Sequence, residues 1–289
     1  MIKMSAGEDL LKRYDVQLLE KRFLELGIKL TELQKIQFLQ YYEYLVEKNK
    51  VMNLTAITEY EEVVEKHFAD SLAASAVYDI NKAHKVIDVG TGAGFPGIPL
   101  KIVYPHLHIV LLDSLNKRVQ FLNEVIQLLQ LTDAQAVHGR AEDYAKKELY
   151  REQFDLCVSR AVANLSTLSE YCIPFIIIDG LFISYKSTKI DKEVEDAKEA
   201  IAVLGGKIKE KKELILPGSD IPRSFILIKK ERPTPAKFPR KAGMPSKEPL
   251  SEKTRPGEKK EKKRENKQDH KQENKKKYNR ENKWQTIKK

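Results

Sequence analysis

Apolar residues recur at steps of three and four through the first 80 positions, and from residue 85 onward they gather into short unbroken runs. The first regime is that of helices with one buried face, the second that of strands buried on both faces. Leu10, Leu11, Tyr14, Leu18, Leu19, Phe23 and Leu26 predict one helix stopped by Gly27, and Thr31 is placed to cap a second carrying Leu33, Ile36, Phe38, Leu39, Tyr42, Leu45 and Val46. A third is expected from Thr58, because Thr58-Glu59-Tyr60-Glu61 has the form of a capping box, and it runs on through Val63, Val64, His67 and Phe68.

Strands and helices then alternate, which predicts a largely parallel sheet covered on both faces. Strands are expected in the apolar run from Lys85 that ends in the acid Asp88 and at His108–Leu112, Ala134–Val137, Phe154–Val158 and Leu181–Tyr185, with helices at Ile98–Val103, Lys117–Leu129, Asn164–Tyr171 and Asp191–Leu204 between them. Lys207–Leu216 and Ser224–Lys230 read as a final antiparallel pair. The resulting layout is a helical extension over residues 1–80, an α/β domain over 81–231, a basic arm over 232–250 and a Lys-rich tail over 251–289.

The stretch that organises the rest is Lys85-Val-Ile-Asp88-Val-Gly90-Thr-Gly92-Ala-Gly94-Phe95-Pro-Gly97. A buried strand ending in an acid and alternating glycines delivers the chain into a tight turn at a helix start, where bare backbone can approach a ribose or phosphate. Open α/β sheets bind ligands at the C-terminal ends of their strands. Asp113 closes the next strand, where a carboxylate can accept both hydroxyls of an adenosine ribose, and Ala141-Glu142 follows the third strand, within reach of an adenine edge. The bland readings, Asp113 with Ser114 as a helix cap and Glu142 as a solvated first-turn acid, weaken when both acids fall at successive strand ends. An adenosine ligand leaves a nicotinamide dinucleotide and S-adenosylmethionine in competition. Glycines at 90, 92, 94 and 97 with a leading acid depart from Gly-x-Gly-x-x-Gly and take the form usual in seven-stranded methyltransferases.

Composition sharpens the division. Residues 251–289 hold 16 Lys and Arg against 7 Asp and Glu, which is +9 of the chain's net +10; residues 229–250 contribute +5, so residues 1–228 stand at −4. Attraction to polyanions is therefore concentrated in the C-terminal arm and tail, and the tail's composition is that of a chain disordered when free. Cys157 and Cys172 lie in apolar sequence without metal-ligand or redox spacing and read as core residues. No secretory leader precedes the first helix and no apolar run reaches the length of a membrane span, so a cytoplasmic, monomeric protein with no membrane association is expected.

Several motifs closely resemble the bacterial RsmG (GidB) family. They are Val51-Met-Asn53-Leu-Thr-Ala-Ile57, Lys66-His67-Phe-Ala-Asp-Ser-Leu72, Asp88 through Phe95-Pro-Gly-Ile-Pro-Leu100, Leu112-Asp113-Ser114-Leu-Asn-Lys-Arg118, Gly139-Arg140-Ala141-Glu142, Ser159-Arg160-Ala161-Val-Ala163 and Phe238-Pro-Arg240-Lys-Ala-Gly243. The resemblance runs from about Asp9 to Leu250. It implies a Rossmann-like class I S-adenosylmethionine-dependent methyltransferase, α/β with a seven-stranded sheet and an N-terminal helical extension. The implied reaction is N7-methylation of a guanine, position 527, in 16S ribosomal RNA of the small ribosomal subunit. By the same resemblance Gly90, Phe95, Ala141, Glu142 and Arg160 contact the donor and Asp113 sits at its ribose; Asp88, Gly92 and Ser114 complete the expected donor site. The chain departs from the family pattern at Lys186-Ser187, in place of Lys-Gly, and at Glu47-Lys48-Asn49, in place of Glu-Trp-Asn.

Guanine N7 carries a free lone pair and no proton, so its methylation needs no general base, and no catalytic acid or base is assigned. Arg118, Arg140, Lys186 and Arg223 are the expected RNA-contacting side chains, with Lys117 and Arg240-Lys241 as further candidates. His67 is divided between a core histidine and a residue at the edge of the site, and Asn53 is expected to order a loop. The alternative function is a non-catalytic, S-adenosylmethionine-binding ribosome assembly factor, which the intact Asp88, Gly90, Gly92, Gly94, Asp113 and Glu142 oppose.

Overall fold

The computed structural model describes residues 4–250 apart from 161 and 189. The expected disordered tail over 251–289, and Ala161 of the Ser-Arg-Ala-Val motif, lie outside the described residues. Seven strands form a single sheet in the order β3-β2-β1-β4-β5-β7-β6, namely β1 Lys85–Val89, β2 His108–Asp113, β3 Ala134–His138, β4 Phe154–Arg160, β5 Ile176–Lys186, β6 Gly206–Ile215 and β7 Pro222–Lys230. The first five are parallel, and β7 runs antiparallel between β5 and β6. Strand order reverses between β1 and β4, and the crevice that this opens lies at their C-terminal ends. β1 and β2 are buried everywhere except their first residues, as strands covered on both faces must be.

The helical prelude differs from its expected form in two places. The single helix predicted through Leu26 is two, α1 Met4–Arg13 and α2 Val16–Leu24, because Asp15 accepts the Leu18 N–H and starts a new helix. The capping box at Thr58 does not form; the helix begins at Tyr60 after Glu59, and the Thr58 carbonyl instead accepts the Tyr42 hydroxyl. Thr31 does cap α3, Glu32–Met52, in a reciprocal box with Gln34. One hydrophobic cluster joins Phe23, Phe38 and Tyr41 to Val86, Ile109 and Leu111 of the sheet, so the core crosses residue 80 without a break. The described residues up to Pro249 form one compact unit.

The sheet elements follow their predicted positions closely except β5, which starts at Ile176 rather than Leu181. Pro174 and Gly180 read as a linker in sequence. In the fold the strand passes through this stretch with Asp179 at φ +68° and a register shift opposite Phe154 and Leu156, so the punctuation marks an irregularity rather than a strand end.

Candidate donor and substrate site

The turn after β1 is built by its own glycines. Gly90, Gly92 and Gly94 all take positive φ, at +74°, +63° and +101°, and the Gly90 N–H donates to the Leu112 carbonyl at the end of β2. Nothing lies within 4 Å of where a Cβ on Gly92 would project, so the turn leaves open space beside its backbone. That space belongs to a cavity of about 570 Å³, lined among others by Gly90, Gly92, Phe95, Asp113, Glu142 and Arg160.

Asp113 is only 3% exposed, and its two oxygens are held separately: Oδ2 accepts the Gly92 N–H at 2.9 Å and Oδ1 the Leu115 N–H at 2.9 Å. A carboxylate offers about four acceptor sites, so each oxygen keeps a lone pair for a diol. Ser114, Ala141 and Gly139 extend the wall past β3, and Tyr171 closes it from the helix Leu165–Cys172. Glu142 is buried, with Oε1 accepting the Gly243 N–H at 2.8 Å.

Asp88 departs from its expected place. It is fully buried and does not line the cavity; its Oδ2 accepts the Thr91 hydroxyl at 2.7 Å and the Gly97 N–H at 2.8 Å, so it braces the glycine turn from behind. The start of the helix Gly97–Val103 is thereby used internally instead of facing a ligand. The Asp88 Oδ1 is buried without a partner among the described residues, and burial pushes the Asp88 carboxyl up to about 7.

The fourth wall comes from the prelude, where Val64–Ala69 forms a wider, π-helical turn between Tyr60–Val63 and Asp70–Leu72. This turn brings His67 to the cavity. The imidazole stacks on Phe95 at 4.6 Å, its Nε2 lies 2.7 Å from the Thr55 hydroxyl, and its Nδ1 lies 3.4 Å from the Arg160 guanidinium. Burial and then the Arg160 charge lower its pKa to about 3, which holds it neutral. Arg160 lies 5.1 Å over the Phe95 ring and donates to Asp70 Oδ2 at 2.8 Å. Asp70 Oδ1 accepts from Arg223 Nε at 2.8 Å, so one buried carboxylate holds two arginines.

The expected RNA-contacting residues divide. Arg118 and Arg140 line the cavity, Arg118 at 3.5 Å from Asp113 and Arg140 exposed. Lys186 and Arg223 lie away from it; Lys186 donates to the Ala163 carbonyl and to Glu193, and Arg223 is engaged by Asp70. Loop ordering, expected of Asn53, is carried by Asn49, whose side chain accepts the Leu54 and Thr55 N–H groups and donates to the Thr55 carbonyl, while Asn53 takes the left-handed position that ends α3. Thr91 comes to the cavity with the glycine turn itself, whereas Leu54, Thr55 and Tyr171 carry no individual chemical signal in sequence, since their place there follows from chain crossings.

Residues 34–217 match the GidB family, described as rRNA small subunit methyltransferase G. The chain belongs to that family. It is 53% identical over 228 residues to the ribosomal RNA small subunit methyltransferase G of Lachnoclostridium phytofermentans, spanning 79% of this chain and 94% of that protein. Its namesake in Exiguobacterium is 50% identical over 235 residues, spanning 80% and 99%. Among solved structures, an O-methyltransferase from Bacillus cereus in complex with SAH aligns with a TM-score of 0.49 at 18% identity, over 66% of this chain and 90% of that one. Family membership makes the chain a methyltransferase whose relatives are named for the small-subunit ribosomal RNA.

Proposed function

We propose that the chain transfers a methyl group from S-adenosylmethionine to N7 of guanine 527 of 16S ribosomal RNA. The observation that carries the reading is the convergence, on one cavity at the sheet's topological switch, of the glycine turn, Asp113, Glu142 and Arg160. Asp113 would hold the ribose hydroxyls through its two remaining lone pairs, Glu142 and Ala141 would take the adenine, and Arg160 on Phe95 would meet the methionine end. Bound S-adenosylmethionine supplies an electrophilic sulfonium methyl. The guanine N7 lone pair forms the new N–CH3 bond as the S–CH3 bond breaks, its electron pair stays on sulfur, and the positive charge passes to the purine ring. No proton moves at N7, so the transfer requires no general base. The protein's contribution is alignment and exclusion of water. Arg118 and Arg140 at the cavity wall are suited to phosphates flanking the acceptor.

The test is to incubate the protein with methyl-labelled donor and small ribosomal subunits from a strain lacking the modification, then map the label. Label at one guanine, cleavable by borohydride and aniline, is the expected result. Tight donor binding without label would favour an assembly factor without turnover.

A further inference from the structure

The Phe238-Pro-Arg240-Lys-Ala-Gly243 stretch reads in sequence as part of a basic, RNA-seeking arm, yet its central arginine faces inward. Glu170, fully buried on the helix Leu165–Cys172, accepts from Arg240 four times: from the backbone N–H at 2.7 Å, from Nε at 3.0 and 3.1 Å, and from Nη2 at 2.7 Å. The segment is tied at both ends, by Arg151 donating to the Thr234 and Phe238 carbonyls and by the Thr167 hydroxyl donating to the Pro245 carbonyl. Between these ties Gly243, at φ +83°, turns its N–H onto Glu142 Oε1. A side chain at Gly243 would meet no steric obstacle, so it is the left-handed backbone that asks for glycine there. Glu142 and Tyr171, the residue after Glu170, both line the cavity.

We infer that Arg240 is a positioning residue for donor recognition: anchored on Glu170, it holds the Gly243 N–H against one oxygen of Glu142 and so aims the other at the amino edge of the donor's purine. The inference rests on the reading of the cavity as the S-adenosylmethionine site. Its chemical consequence is specificity. An exocyclic 6-amino group donates to a carboxylate, whereas a 6-oxo group opposes it with its own lone pairs. A well-fixed Glu142 therefore separates adenosyl from inosyl ligands, and a loosened one does so less.

The experiment is calorimetric binding of S-adenosylhomocysteine and S-inosylhomocysteine to the full chain and three variants. Arg240→Ala leaves Glu170 buried and alone, so the double variant Arg240→Gln with Glu170→Gln is included to avoid burying an uncompensated charge. Both are expected to bind S-adenosylhomocysteine about tenfold more weakly while changing S-inosylhomocysteine far less, so that the ratio of the two affinities falls. Equal weakening of both ligands would mean a general structural role and overturn the inference. An intact preference accompanied by weaker ribosomal RNA binding would overturn it in favour of direct RNA contact. Glu142→Gln separates the two levels: if it leaves both affinities unchanged, the adenine assignment itself fails, whereas a lost preference there with none lost in the Arg240 variants removes only the role of the arm.

Discussion

Two acids 25 positions apart, Asp88 and Asp113, close neighbouring strands and do opposite work. Asp113 presents its carboxylate to the cavity, and Asp88 turns its own away to brace the glycine turn. Asp113→Asn is expected to weaken S-adenosylhomocysteine binding about tenfold, measured by calorimetry, because a charged acceptor becomes a neutral one. For Asp88 the expected signature is in stability against pH. Its folded pKa, about 7, stands above the 3.8 of the free group, so between those values the folded state holds a proton that the unfolded state has released. The contribution is fully present below pH 3.8 and is lost as pH rises toward 7. His67 acts in the reverse sense: its folded pKa, about 3, lies below 6.5, so its contribution is present above 6.5 and is lost as pH falls. Urea midpoints measured from pH 4.5 to 7.5 should show Asp88→Asn losing the first dependence and His67→Gln the second; parallel curves for wild type and variants would refute both.

At the scale of elements, the π-helical turn Val64–Ala69 and the end of β4 make a single device. The wide turn sets His67 on Phe95 and, one helical turn later, Asp70 between Arg160 and Arg223. With Asp70 buried and both arginines largely so, Asp70→Ala should cost about 3 kcal/mol in urea denaturation, because two cations lose their shared counter-ion. The same variant should weaken donor binding, since Arg160 loses the bond that holds it over Phe95. Little of this device was legible in advance. Periodicity identified the helix and left His67 divided between core and site, but a π-helical turn has no sequence period of its own, and the partners of Asp70 lie 90 and 153 positions away. Asp113 and Glu142, by contrast, were legible because strand ends are marked locally and parallel sheets align those ends on one edge.

Across the whole molecule, Phe23 on Phe38 and Phe38 on Phe68 pack the prelude's own core, Tyr41 on Phe95 and its hydroxyl donating to the Ala93 carbonyl join it to the glycine turn, and one hydrophobic cluster continues it into the sheet. Phe38→Ala is expected to cost about 3–5 kcal/mol and to unfold prelude and sheet in one transition, observable as coincident fluorescence and circular-dichroism curves. Removing residues 251–289 takes away +9 of charge; at low salt it should weaken ribosomal RNA binding by about tenfold and flatten its salt dependence, with S-adenosylhomocysteine affinity unchanged.

The sequence by itself determined the alternation of elements, the glycine turn and the acids at the strand ends, because these depend on residues near one another and on a sheet that aligns its strands. It also carried enough of the family's motifs to identify the family. Tertiary structure decided which charges remain available. Arg223, Lys186 and Arg240 read alike as exposed cations, yet each meets an acid brought from elsewhere in the chain, Asp70, Glu193 and Glu170, while Arg118, beside Asp113, and the exposed Arg140 reach the cavity. Burying a charge requires a partner, and the partner is chosen by how the chain crosses itself in space.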